Sequence, residues 1–186
     1  MDMTELVRKA RTTRRFDESR PVTDQELRSL VDAARVSSCG GNAQPLRYRL
    51  VSDPAECRKV FPLVAWAASI PDWPGPSAGE RPTGYIAICA ESKPGMDTGI
   101  AAQTIQLCAA GRGIGACMMG AIQRSEIKQA LHIDEKYNLM LLIALGRPAE
   151  TIVIDEVAAG TDLTYYRGDD GVHHVPKLRL QDVLIG

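Results

Sequence analysis

Leu27, Leu30, Val31 and Ala34 recur at the spacing of one helical face. The pattern predicts a helix that begins at Thr23-Asp24-Gln25-Glu26, where the Thr hydroxyl and the Glu carboxylate can satisfy the first free amides as a capping box. That helix ends before Cys39-Gly40-Gly41-Asn42, a run of turn formers. A shorter helix, Met3 to Ala10 with Leu6 and Val7 inward, precedes it. Leu46 to Ser52 alternates as a strand does, and Pro54 opens a helix that reaches about Phe61. Tyr85–Ala90 and Leu139–Leu145 are continuous apolar runs, the signature of strands covered on both faces. Gly146-Arg147-Pro148 is expected to stop the second of them. From Asp97 to about Arg112 the pattern is helical and apolar almost all round, through Ile100, Ala101, Ala102, Ile105, Leu107 and Ala109, which predicts a central helix. Ser125 is expected to cap a further helix through Leu131, and the proline-rich run Ile70–Pro82 reads as a long surface loop, a lid or partner contact. Few apolar strands among helices that must cover both their faces describe a mixed α/β or α+β sandwich.

The 186 residues suit one domain with a core large enough to need no disulfide staples. Charge is balanced, 22 Lys+Arg against 23 Asp+Glu, which argues against nucleic-acid binding through the field of the whole protein. No apolar run approaches the roughly 18 residues of a bilayer span, and the first residues lack the apolar core of a signal peptide, so a cytoplasmic protein is expected. The five cysteines include no C-x-x-C pair, which leaves no zinc ribbon and no disulfide framework, and no metal site is expected.

Candidate chemistry gathers in a few places. Between Arg8 and Arg20 six cations surround the hydroxyls of Thr12 and Thr13, donors of the kind a phosphate needs, unless the turn is simply a solvated charged one. Lys177-x-Arg179 puts two cations on one face of an extended segment, and would join the same anion site if the tail returned to the basic turn. Cys39-Gly40-Gly41-Asn42-Ala43-Gln44-Pro45 allows close backbone approach beside amide donors and acceptors, suiting a flat heterocycle or an ordinary helix-to-strand turn. Gly111-Arg112-Gly113-Ile114-Gly115-Ala116 fits a dinucleotide fingerprint in form, but it follows a helix where that motif follows a strand, and a helix C-cap explains it better. The adjacent His173 and His174 should face opposite ways and share no metal. No catalytic triad can be assembled.

Four of these segments, in order, resemble the nitroreductase family of FMN-dependent oxidoreductases. Residues 11–16, RTTRRF, resemble its R-S-x-R-x-F element with Thr12 for Ser. Residues 33–48, AARVSSCGGNAQPLRY, resemble A-x-x-A-P-S-x-x-N-x-Q-P-W-x-F, with Ser38-Cys39 where Pro-Ser is common and Leu46 for the frequent Trp. Residues 97–120 resemble its central helix and G-x-G-x-x-x-x-G turn, and PKLRL stands where the family carries basic phosphate ligands. The resemblance implies an α+β nitroreductase-like flavoprotein fold, a central mixed sheet flanked by helices, in an intertwined homodimer. It implies one domain over residues 1–186, whose C-terminal arm, 161–186, reaches onto the partner. FMN would lie at the dimer interface, with Arg11, Thr12, Arg14, Lys177 and Arg179 on its phosphate and ribityl oxygens. Cys39, Gly40, Asn42 and Gln44 of the partner chain would lie against the ring, and the backbone of Met118, Met119 and Gly120 would approach from the other side. NADPH or NADH would reduce the flavin at N5, and a nitroaromatic, quinone or similar small acceptor would take the electrons in a ping-pong cycle, with no obligate catalytic side chain. The same fold would also serve a specialised dehydrogenase, ene-reductase or dehalogenase, or a non-catalytic FMN-binding protein.

Overall fold

The computed structural model describes residues 2–67, 70 and 73–185. Helices α1 (Met3–Lys9), α2 (Asp24–Arg35), α3 (Pro54–Val60), α4 (Asp97–Gly111) and α5 (Arg124–Ala130) surround the main sheet, which comprises β1 (Phe16–Asp17), β2 (Leu46–Val51), β3 (Gly84–Ala90), β4 (Gly115–Met119) and β5 (Asn138–Pro148). β3 lies between β2 and β5, and β1 and β4 also pair with β5. Each of these pairings is antiparallel, and a parallel bridge from Thr12 to Ala116 runs the basic turn alongside β4. A second sheet of β6 (Ile152–Val157), β7 (Tyr166–Arg167) and β8 (His173–Leu178) is mixed: β6 and β8 are parallel, β7 and β8 antiparallel. The architecture is the expected α+β one.

The sheet has two apolar faces because its strands alternate between two sets of buried side chains. Tyr85, Ala87 and Cys89 of β3 join Cys117 and Met119 of β4 in a core completed by Cys57 and Val60 of α3 and Ile127 of α5. Ile86 and Ile88 pack instead with Leu27 and Leu30 of α2 and with Ala101, Ala102 and Ile105 of α4. Every residue of β3 is buried, so the continuous apolar run is one strand clothed on both sides. The Thr23–Glu26 capping box forms as expected, the Thr hydroxyl accepting from Glu26 N and the Glu carboxylate from Thr23 N.

Several local expectations are corrected. β5 does not stop at Gly146-Arg147-Pro148 but includes all three, because Phe16 and Asp17 pair with Pro148 and Arg147. Gly146 is what permits this: a Cβ there would stand 2.8 Å from the Phe16 ring. Ser125 lies inside α5, whose N-cap is Gln123. Val7 faces solvent at 42% exposure and only Leu6 of that pair is half-buried, since a two-turn helix has room for one inward row. Ile100 of α4 is 38% exposed, so the apolar helix is covered on one side only by this chain. The proline-rich run is not wholly a surface loop. Gly75, Pro76 and Pro82 are buried and Gly75 lies against the Trp66 indole, whereas Pro71 and Asp72 lie outside the described residues. Among the described residues no helix is long and apolar enough to cross a membrane.

Candidate functional site

The glycine-rich loop and the basic turn are held at different stations of α4. At its first turn the buried Asp97 accepts the backbone N–H of Gly40 through Oδ1 at 3.0 Å. Gln106, nine residues on and so roughly 14 Å along the axis, donates through Nε2 to Ala10 O at 3.5 Å, just before the basic turn. The two regions line separate cavities. Cys39 and Gln44 line a groove of about 840 Å³ between α2, β2 and the start of α4. Arg11 and Thr13 line a smaller cavity of about 240 Å³, together with Arg8, Lys9, Gly115 and Glu150. A single chain therefore does not unite the residues that the sequence assigns to the ring with those it assigns to the phosphate.

The glycine-rich loop is wound into a left-handed path, with φ of 56° at Gly41, 54° at Asn42 and 48° at Gln44. Asn tolerates this region and Gln does so at a cost, the sort of strain that persists only where surroundings enforce it. Asp97 supplies one constraint. Cys39 supplies another, its sulfur accepting the Gln44 N–H at 3.2 Å. Gln44 in turn donates to Asn42 Oδ1 at 3.3 Å, so both amides sit together at an exposed tip.

The basic turn is extended and pressed against β4. Thr13 N donates to Ala116 O at 3.0 Å, and Gly115 is a glycine because a Cβ there would lie 2.7 Å from the Thr13 hydroxyl. Arg11 donates through Nη2 to Val7 O at 2.7 Å, and its Nε is buried with no partner. Burial pulls its guanidinium pKa below the ordinary arginine value. Thr12 and Arg14 do not line the Arg11 cavity. Arg14 instead lies 4.5 Å from the centre of the Tyr165 ring and donates through Nη1 to His173 Nε2 at 3.3 Å. Arg14 and Glu150 both act on the buried Cys117 thiol of β4, with opposite signs, and burial dominates and pushes that thiol up to about 11. Beyond Cys117, Met118 is half-buried, Met119 is buried and Gly120 is exposed, with nothing within 4 Å of where its Cβ would be.

Lys177 and Arg179 are exposed and stand away from this turn. The tail does return to the basic turn, but at His173, four residues and roughly 13 Å before Lys177 along β8. Lys177 pairs in register with Glu156 of β6, and Arg179 N donates to Val157 O at 3.0 Å. The adjacent histidines face opposite ways as expected: His173 is buried against Arg14, while His174 stacks on Tyr166 and meets Asp155 Oδ2 at 2.9 Å. Sequence reasoning missed Glu150, Tyr165, Arg167 and His173 as neighbours of the basic turn. No local spacing relates them, so nothing in the sequence signalled these contacts. Among the described residues no group of three or more His, Cys, Asp or Glu is placed to hold a metal.

The fold has known relatives. The model of the nitroreductase family matches residues 7–85 and 90–147. A protein of Archaeoglobus fulgidus, named as a candidate NADH dehydrogenase/NAD(P)H nitroreductase, is 24% identical over 143 residues, covering 70% of this chain and 77% of its own. Among solved structures, a nitroreductase family protein of Clostridium novyi NT superposes with a TM-score of 0.67 at 20% identity, over 95% of each chain. A candidate nitroreductase of Exiguobacterium sibiricum in complex with FMN superposes with a TM-score of 0.68 at 15% identity, over 81% of this chain and 90% of that one.

Proposed function

The chain belongs to the nitroreductase family, and from that membership we propose that it is an FMN-dependent NAD(P)H oxidoreductase that works as a homodimer. The observation that carries the reading is the basic turn laid alongside β4 by the Thr12–Ala116 bridge, with the exposed Gly120 just past the end of that strand. A guanidinium and a hydroxyl suit a phosphate, and exposed backbone suits a flat ring.

The residues present suit FMN at its anionic end. The Arg14 side chain is held by neutral groups only, Arg11 has a buried unpartnered Nε, and Gly113 and Gly120 leave open space where a Cβ would stand. Thr12 and Arg14 would hold the phosphate and ribityl oxygens, with Arg11 behind them. Cys39, Gly40, Asn42 and Gln44 would orient the ring from a second copy of the chain, because within one chain they line a different cavity. The uncovered side of α4, with Gly99, Ile100 and Gln103 exposed, is available to that second copy. The arm that reaches the partner would be shorter than residues 161–186, since Tyr166–Leu178 already pair within this chain. What remains, with Leu180, Val183, Leu184 and Ile185 at 57% exposure or more, is apolar enough to seek cover.

FMN bound there would supply two-electron chemistry, taking a hydride from NADPH or NADH and passing electrons to a small nitroaromatic, quinone or similar acceptor in alternation. The protein's part is to bind, orient and exclude water. The Asn42 and Gln44 amides would meet the polar edge of the ring, and the β4 backbone would set the distance of approach.

The test is an absorbance spectrum of the purified protein before and after FMN addition, then NADPH or NADH under argon. Flavin bands that bleach on reduction support the reading. A protein that takes up no FMN, or a bound flavin that neither nucleotide bleaches, overturns it.

A further inference from the structure

Glu150 occupies an odd position for an acidic residue: it lines the cavity of Arg8, Lys9 and Arg11, yet its side chain is only 2% exposed. Its two oxygens are fully used. Oε1 accepts the backbone N–H groups of both Arg14 and Arg15, the latter at 3.1 Å, and Oε2 accepts from Arg167 Nη2 at 2.7 Å. The carboxylate therefore grips the main chain of the basic turn and leaves its guanidinium groups alone. Among the described residues Arg14 makes no salt bridge. Its side chain is fixed by the Tyr165 ring and by His173 Nε2 instead. Arginine can only donate, so that histidine nitrogen accepts and the ring is neutral, with its proton on the buried Nδ1.

We infer that Glu150 is a positioning residue: it pins the backbone of Arg14 and Arg15 so that Tyr165 and His173 can present the Arg14 guanidinium, uncompensated, to the anionic group of a ligand. This rests on the FMN reading above and names the part of the chain that makes its phosphate end rigid. The division of labour explains how an acidic residue can stand next to a guanidinium that is to bind an anion. A carboxylate paired with the Arg14 side chain would neutralise it, whereas one that accepts two amides and a more distant arginine holds its shape without cancelling its charge. Arg167 completes the arrangement and ties β7 to the turn, so the C-terminal segment is part of the support.

The test is an FMN titration of full-length wild type, Glu150→Gln, Glu150→Ala and Arg167→Met, together with amide hydrogen exchange at Arg14 and Arg15 in the FMN-free proteins. A glutamine oxygen can still accept both amides. Glu150→Gln should therefore keep both amides protected and bind FMN within about threefold of wild type, whereas Arg167→Met, which leaves Oε2 without its partner, should loosen both in part. Glu150→Ala leaves two half-buried donors without their acceptor, so both amides should exchange faster and FMN should bind roughly tenfold more weakly or worse. If Glu150→Ala does not fold, Glu150→Asp, too short to reach both amides, should show a partial loss of each. The inference is overturned if Glu150→Ala (or the Asp variant in its place) keeps protection and affinity. It is also overturned if Glu150→Gln loses FMN as fully as Glu150→Ala while its amides stay protected, because the charge and not the pin would then matter. If wild type takes up no FMN, the proposed function fails on that arm alone, and amide exchange still decides whether Glu150 pins the turn.

Discussion

Asp97 Oδ1 accepts the N–H of Gly40 at 3.0 Å, joining the first turn of α4 to a loop in which three backbone φ angles are positive. A buried carboxylate accepting an amide contributes about 1.5–3 kcal/mol, enough to offset the strain at Asn42 and Gln44. Asp97→Ala should lower Tm by several degrees, at about 2–4 °C per kcal/mol for a chain of this size. Asp97→Asn, which keeps an accepting oxygen, should recover most of that. Thermal denaturation of the three proteins decides it, and equal Tm values would show that the loop holds itself.

Three of the five thiols should be inert. Burial pushes Cys57 up to about 12 and Cys89 and Cys117 up to about 11, and all three are buried. Only the thiolate reacts with disulfide reagents, so at neutral pH these groups lack both charge and access. Cys39 and Cys108 are half-exposed. Titration with an aromatic disulfide should modify about two thiols in the native protein and all five in denaturant. Rapid native modification of Cys117 would mean that β4 opens where the proposed cofactor lies.

The elements that could be read from sequence are those set by neighbours in the chain. The Thr23–Glu26 box lies within one turn, and the Tyr85–Ala90 run needs only its own six side chains to declare a doubly covered strand. Gly146 misled because its meaning is tertiary: it makes room for Phe16, not for a turn. The same holds for the basic turn. Its six cations were visible, but the acid that orders it is 136 residues from Arg14, and the histidine that meets Arg14 is 159 residues away. The site loops were legible as types of residue; that one chain's loop would face another's turn came from the family resemblance and from no spacing in the sequence, because within one chain the two line separate cavities.

His173 gives the stability a definite pH dependence. Burial lowers its pKa below 6.5, helped by Arg14, Arg167 and His174 and opposed by Glu150. Between the lowered folded pKa and 6.5 the unfolded chain therefore binds more protons than the native one, so stability rises with pH across that window and is lost as pH falls through it. His173→Gln keeps an acceptor for Arg14 but cannot titrate. It should flatten the change in Tm between about pH 7.5 and pH 5. An unchanged slope would assign the acid sensitivity to the carboxylates.

If the ring-binding loop and the basic turn that share one FMN belong to different copies of the chain, two damaged proteins should repair each other. Arg14→Ala removes the uncompensated guanidinium. Asn42→Gly removes an amide while keeping the positive φ at no steric cost. Each variant alone should retain FMN poorly. A mixed dimer made by co-expression with two different affinity tags holds one site with both substitutions and one with neither. It should bind about one FMN per dimer with near wild-type affinity, since distant sites behave independently. A mixed dimer that binds no better than either parent would place both halves of the site in the same chain, and the separation of the two cavities along α4 would then have to close on binding.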